Sequence, residues 1–190
     1  MYKKFKVVGL FLALITFAQT ASASLLVEPH LSYNLSGSGD NNASGAGKVD
    51  YDYNGAQYGL KLGYQALGLM AGLDFTRSNF DMDYKTSVGT STGEMERNEW
   101  GLFVGYNFPI LVRGWVGYYF ANTTKDTKNN TERTGNTTEL GVGFTALPFL
   151  SVNLMYRLIK LDELESGGNK VGIDDTNREF VVGVSLPLTL

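Results

Sequence analysis

Three glutamates recur at one spacing. Glu99, Glu139 and Glu179 open the stretches EWGLFVGY, ELGVGF and EFVVGVSL, each 40 residues after the last. Carboxylates held in step inside a fold need cations. Arg157 is placed diagonal to Glu139, and Lys61 diagonal to Asp74. Such charges form either an ion-pair network that fills an interior or a narrow cation-preferring path. The bulk of Phe103, Trp115 and Tyr119 on the same face argues for the filled interior. His30, the single histidine, has Glu28 and Ser32 two residues to either side. Ser, His and Glu together are the components of nucleophilic hydrolysis. On a strand, however, residues two apart are separated by about 6–7 Å, so no catalytic residue is assigned. Asp81/Asp83 and Asp174/Asp175 are carboxylate pairs of the kind that hold a hard cation, but their spacing is unspecific and reads as solvated acidic loop. No metal motif, phosphate loop or nucleophile elbow is present, and no cofactor is expected.

The elements that carry these groups are strands. In NEWGLFVGYNFP (98–109), Trp100, Leu102, Val104, Tyr106 and Phe108 alternate with Glu99, Gly101, Phe103, Gly105 and Asn107. Period-2 alternation puts the two sets on opposite faces. A soluble strand hides its apolar face and shows charge to water; here the second face is mostly glycine and small polar residues. The same pattern recurs from Gln57, Glu139 and Glu179, with strands of opposite direction between at 67–75, 112–120 and 150–158. With the opening strand LLVEPHLSYNLS (25–36), eight strands are expected.

The N-terminus MYKKFKVVGLFLALITFAQTASAS has basic Lys3, Lys4 and Lys6, an apolar run from Val7 to Ala18 and an Ala21-Ser22-Ala23 cleavage pattern. It reads as a signal peptide over 1–23, with a barrel domain over 24–190. Its apolar run is shorter than the ~20 residues of a spanning helix. Export removes three of the 16 basic residues and none of the 19 acidic ones, so 13 face 19 and the formal charge is −6. That balance gives no basic patch for nucleic acid. The absence of Cys excludes a disulfide framework and lipid attachment through Cys.

Tight turns are expected near Ala66-Leu67, Pro109-Ile110 and Leu147-Pro148, and long polar loops at about 37–56, 77–97, 122–137 and 163–177. Pairing through the tight turns puts Tyr64 opposite Leu69, Leu62 opposite Ala71, Leu60 opposite Leu73 and Tyr58 opposite Phe75. In the next hairpin Phe108 meets Val112, Val104 meets Val116, Leu102 meets Tyr118 and Trp100 meets Phe120. In the third, Phe144 meets Leu150, Val142 meets Val152 and Leu140 meets Leu154. Apolar meets apolar throughout one face. On the other, Gly105 opposes Trp115, Phe103 opposes Gly117 and Gly101 opposes Tyr119, large against small, as in the interior of a small barrel. Aromatic residues mark two levels of the apolar face, Tyr64, Tyr106, Phe108 and Phe144 near the turns, and Tyr58, Phe75, Trp100, Phe120, Tyr156 and Phe180 near the loops.

The mature chain resembles the small eight-stranded outer-membrane barrels of Gram-negative bacteria, the OmpA/OmpX-like group. The resemblance implies an all-β, antiparallel, up-and-down transmembrane barrel with short periplasmic turns and long extracellular loops. The C-terminal FVVGVSLPLTL is similar to that group's assembly signal, departing from it at Leu190 and Pro187. Pro removes a ladder donor, so the last residues are expected to pair incompletely. A soluble lipocalin-like barrel with the apolar face inward would leave a glycine-rich exterior and no reason for aromatic girdles. The expected role is non-enzymatic, structural or in surface interaction through the loops. A small pore is the alternative, and a lipid-modifying enzyme is further off. The expected partners are outer-membrane lipid and an extracellular protein or surface, with the chain a monomer.

Above Tyr58 and Phe75 the parity inverts. Tyr53 pairs with Phe80, Tyr51 with Met82 and Val49 with Tyr84, turned toward the barrel axis, while Asp50, Asp52, Asp81 and Asp83 face out. Outside lipid the exterior must be polar and the apolar side covered. This hairpin is expected to project as a ribbon whose cluster (Tyr51, Tyr53, Phe80, Met82, Tyr84) either caps the barrel mouth or offers an edge to a partner. The segment 122–139, with no large apolar side chain, is expected to be a solvated excursion.

Overall fold

A computed structural model describes residues 23–41, 49–86, 89–147 and 149–190. The leader expected over 1–23 lies almost wholly outside them. Nine strands follow in chain order: β1 (Ser24–Asn41), β2 (Val49–Ala66), β3 (Leu69–Thr86), β4 (Gly89–Asn107), β5 (Val112–Asp126), β6 (Thr131–Leu147), β7 (Leu150–Ser166), β8 (Asn169–Ser185) and β9 (Leu188–Thr189). Each of the first seven pairs antiparallel with the next, and β8 pairs with β1, so the sheet closes on itself. Closure leaves no open edge around the wall, which is what lipid demands of backbone groups. The two-residue β9 continues β8 beyond Pro187. Leu186 donates its amide to the Pro29 carbonyl at 3.0 Å, and Leu190 exchanges both backbone bonds with Leu25 at 2.9 Å. The break at Pro187 is thus local, and the ladder resumes after it.

The outward face is apolar. Leu31, Leu62, Leu102, Val116, Leu140 and Leu154 are all exposed, and their neighbours in sequence turn inward. The aromatic pairs Tyr106–Phe108, at 5.0 Å, and Phe75–Trp100, at 4.6 Å, sit at the lower and upper levels of this band. The inner face carries the glycines. A Cβ at Gly141 would overlap the Trp115 ring, and one at Gly101 would meet Tyr119, so the glycines make room for the large inward side chains.

The registers of the first and third hairpins differ from those expected. Tyr64 pairs with Ala71, Leu62 with Leu73, Leu60 with Phe75 and Tyr58 with Arg77, a displacement of two residues. The cause is the turn. Leu67 and Gly68 both take positive φ, 52° and 84°, and Ala66 pairs with Leu69 across a two-residue loop. In the third hairpin Phe144 pairs with Val152, Val142 with Leu154 and Leu140 with Tyr156, with a register shift between Phe144 and Leu147. The second hairpin holds as expected from Asn107–Arg113 to Gly101–Tyr119. Above that, a bulge at Phe120 sets Trp100 opposite Ala121. A slip of two keeps every side chain on its own face. Apolar pairing on the outside is therefore satisfied by either register.

The segments read as long loops are largely strand. β1 and β2 pair up to Asn41–Val49, β3 and β4 to Thr86–Gly89, and β7 and β8 to Ser166–Asn169. The 122–139 segment forms the upper parts of β5 and β6 around a short turn at 127–130. Threonine is a good strand former, and above lipid a strand needs only ladder partners and a polar outer face. The loop tips at 42–48 and 87–88 lie outside the described residues.

Candidate functional site

The inward side chains build a column of paired charge along the barrel axis. Nearest the short turns, Arg113 donates from Nη2 to Glu28 Oε2 at 2.6 Å. It lies 5.3 Å from the centre of the Trp115 ring. Above it, Lys61 donates from Nζ to Asp74 Oδ2 at 2.6 Å and lies 3.9 Å from Glu139. Tyr119 donates its hydroxyl to Asp74 at 2.6 Å, and Trp115 donates from Nε1 to Glu139 at 2.7 Å. Arg157 then gathers three carboxylates: Glu99, Glu139 at 3.3 Å and Glu179 at 3.0 Å. Arg97 reaches Glu179 at 2.5 Å from above. Glu99 also accepts from Asn122 Nδ2 at 2.9 Å and Thr137 Oγ1 at 2.6 Å. The carboxylates and cations of this column are buried, so each depends on the others in place of water.

All six charges singled out from the sequence, Lys61, Asp74, Glu99, Glu139, Arg157 and Glu179, therefore meet in one connected set. Two relations differ from those expected. Glu139 lies directly opposite Arg157, and Lys61 directly opposite Asp74, instead of diagonal to them. Phe103, Trp115 and Tyr119 are buried among them. Sequence reasoning missed Arg97, Arg113 and Glu28 as members. A signal was available, because each stands at an inward position of its strand by the same parity that placed the others.

His30 approaches Asp74 Oδ1 with Nε2 at 3.2 Å, while Glu28 is turned to Arg113. The three groups of a hydrolytic set are thus not brought together. The void beside His30 measures about 10 Å³, the room of a single water. Asp174 is exposed and Asp175 buried, so that pair faces opposite ways, and Asp83 accepts from Thr92 at 2.7 Å on the exterior. Among the described residues no group of three or more His, Cys, Asp or Glu is placed to hold a metal ion.

Above the column sits an apolar plug. Tyr53, Phe80 and Met82 are buried together with Met95 of β4, which the sequence reading did not include. Arg97 stacks over Phe80 at 4.7 Å, joining plug and column. Tyr51 and Tyr84 pair with each other in the ladder; their side chains lie outside the described part of the structure. The inverted parity holds, with Asp52, Asp81 and Asp83 exposed. The free-standing ribbon does not. β2 and β3 are flanked throughout by β1 and β4, so the cluster lies inside the wall and offers no edge.

A closed eight-stranded barrel with an apolar exterior and a charged, filled interior is the architecture of a small outer-membrane protein. Residues 9–186 match the outer membrane protein beta-barrel domain, and the chain belongs to that family. It is an outer-membrane protein. Among solved structures it is similar to Neisserial surface protein A at 15% identity, covering 88% of this chain and 99% of that one with a TM-score of 0.53. It is similar to OprG of Pseudomonas aeruginosa at 13% identity, covering 90% and 98% with a TM-score of 0.51. It is also similar to the attachment invasion locus protein Ail of Yersinia pestis in complex with the heparin analogue sucrose octasulfate, at 11% identity, covering 87% and 99% with a TM-score of 0.54. These likenesses are of fold. No curated protein matches the chain.

Proposed function

We propose that this protein is a non-enzymatic, monomeric outer-membrane barrel that meets its partners through its extracellular end, its lumen serving as a rigid support. The observation that carries this reading is the lumen itself. Arg157, held by three carboxylates, crosses the axis under a plug of Tyr53, Phe80, Met82 and Met95. A conducting path needs mobile water and weakly held charge, whereas here the charges neutralise one another at hydrogen-bond distance. Surface interaction is supported by the strands that rise past the upper aromatic level and carry a polar exterior. That exterior is acidic on β2–β4, where Asp52, Asp81, Asp83 and Glu94 are exposed. A polysulfated ligand such as the one bound by Ail would be repelled by this wall, and a neutral or cationic partner suits it.

Recording from refolded barrel in planar bilayers tests the closed lumen. Wild type is expected to show no sustained unitary conductance. Stepwise currents that Trp115→Gly or Glu139→Gln alters would replace this reading with a small pore.

A further inference from the structure

We propose that Lys160 and Arg178 form a seat for the phosphate of an anionic lipid headgroup in the outer leaflet. Among the cations whose side chains are described, nearly all have a carboxylate. Four lie in the lumen column, Arg77 holds Glu96 at 2.6 Å, Lys125 holds Glu132 at 3.0 Å, Lys128 holds Glu94 at 3.1 Å, Lys170 holds Glu163 at 2.6 Å, and Arg133 lies 3.9 Å from Asp175. Lys160 and Arg178 are exposed and make no such pair among the described residues. In a chain whose mature form has excess negative charge, two neighbouring cations left unneutralised mark a place where the neutralising group comes from outside.

Their position names that group. Arg178 is the ladder partner of Leu158, and Lys160 of Thr176, so the two are diagonal neighbours on the outward faces of β8 and β7. Diagonal neighbours on one face stand about 7–8 Å apart, a gap that one phosphate spans with charge-assisted bonds to both. Two residues from Arg178 and four from Lys160 toward the lipid lies the Tyr156–Phe180 ring pair, with centroids 5.1 Å apart, at the level of the upper aromatic girdle. Aromatic girdles mark the headgroup boundary, so the cations stand at the height of lipid phosphates. Ser38 of β1 pairs with Arg178, and Asn136 of β6 with Lys160, adding a hydroxyl and an amide donor beside them. On β7 and β8 the nearest outward carboxylates, Asp162 and Asp174, are farther from the lipid, and on β1 Asp40 stands one step farther out than Ser38, as the ladder partner of Thr176. The wall of β2–β4 carries the neutralised Arg77–Glu96 pair near this height and turns acidic farther out, from Asp81 and Glu94 upward, so a phosphorylated headgroup is drawn to β7–β8 in preference to the opposite side. The proposal needs a barrel embedded in lipid and is independent of whether the lumen conducts.

The test uses the refolded mature barrel in neutral detergent with EDTA, which removes divalent ions that would bridge phosphate to carboxylate. The probes are bis-phosphorylated lipid A, its dephosphorylated form, and inorganic phosphate. The readouts are lipid retained per barrel and the Arg178 side-chain Nε–H resonance. Wild type is expected to retain the phosphorylated lipid at least tenfold more tightly than the dephosphorylated one. The double variant Lys160→Gln/Arg178→Gln is expected to lose that preference, and each single variant part of it. Arg77→Gln, which removes a paired arginine on the opposite wall, is expected to keep it. All these positions lie on the outer face of the barrel and none belongs to the lumen column, so the variants should retain the heat-sensitive gel mobility of a folded barrel. Equal retention of the two lipids, a double variant that binds like wild type, or an equal loss in Arg77→Gln would overturn the proposal. So would saturation of the Arg178 resonance by inorganic phosphate at the same concentration, which would identify a free-anion site only.

Discussion

Replacing Arg157 by leucine removes the cation shared by Glu99, Glu139 and Glu179. The three carboxylates are not equally stranded. Glu179 keeps Arg97 at 2.5 Å. Glu139 keeps the Trp115 and Tyr119 donors at 2.7 and 3.2 Å, with Lys61 at 3.9 Å. Glu99 keeps only the neutral donors Asn122 and Thr137 among its hydrogen-bond partners. Breaking a buried pair by removing one partner costs about 3–5 kcal/mol, and most of that cost is expected to fall on Glu99. The second change Glu99→Gln should therefore restore about 1–3 kcal/mol, the range of coupling between residues in contact. Glu139→Gln in the same background should restore less. The assay is urea unfolding in lipid vesicles, followed by tryptophan fluorescence, with mobility of unboiled protein on a gel reporting the closed barrel. A loss below about 1 kcal/mol in Arg157→Leu, or a double variant as unstable as its two single variants combined, would refute the view that this cluster is dry and mutually dependent.

Four further outcomes are expected. Gly141→Val puts a branched side chain where a Cβ already overlaps the Trp115 ring. It should destabilise by about 1–3 kcal/mol in the same unfolding assay and recover in part with Trp115→Phe. Leu67 holds φ 52° and is 83% exposed. Leu67→Asn should stabilise the barrel by about 0.5–1 kcal/mol, because an Asn-Gly turn accepts positive φ where leucine is strained. Met82→Ser, in the plug, should lower protection of β2–β4 amides above Phe75 in hydrogen exchange while leaving the gel shift intact. At the 127–130 turn, burial pushes the Asp126 carboxyl up, but the Asn129 backbone and side-chain amides and the Lys128 amide outweigh it and hold it below its usual value. The turn's order is therefore full above the unfolded value of about 3.9 and is lost as pH falls through the lower folded value. Amide resonances of Lys128 and Asn129 should shift only below about pH 4, and in Asp126→Asn they should show no such transition.

Strand parity was legible because it depends only on alternation. It placed Trp100 outside, Trp115 inside and both Tyr53 and Phe80 toward the axis, although Tyr53 pairs with Met82 and Phe80 with Gly55 instead of with each other. Register in the first and third hairpins was not legible from the outer face, where Leu62 finds an apolar partner in either Ala71 or Leu73. The inner face breaks that tie. Only the observed register sets Lys61 opposite Asp74 and Arg157 opposite Glu139, and buried opposite charges penalise a slip that apolar pairs tolerate. The bulge at Phe120 has no comparable signature, since it depends on how the closed wall bends. The polar segments read as loops are strands because their partners are other polar segments, a property of pairs that no single stretch reveals. Met95 joined the plug for the same reason, since its place depends on β4 running beside β3.

The chain's two tryptophans offer the most direct test of which face meets lipid. Trp100 is 52% exposed on the outer face, and Trp115 is 4% exposed in the lumen. Refolding Trp115→Phe and Trp100→Phe into vesicles of lipid brominated on its acyl chains reads each indole separately. Strong quenching of Trp100 with little quenching of Trp115 is the result expected of an apolar exterior around a filled lumen. Quenching of Trp115 with Trp100 spared would mean that the barrel is inside out and that the apolar face encloses a ligand.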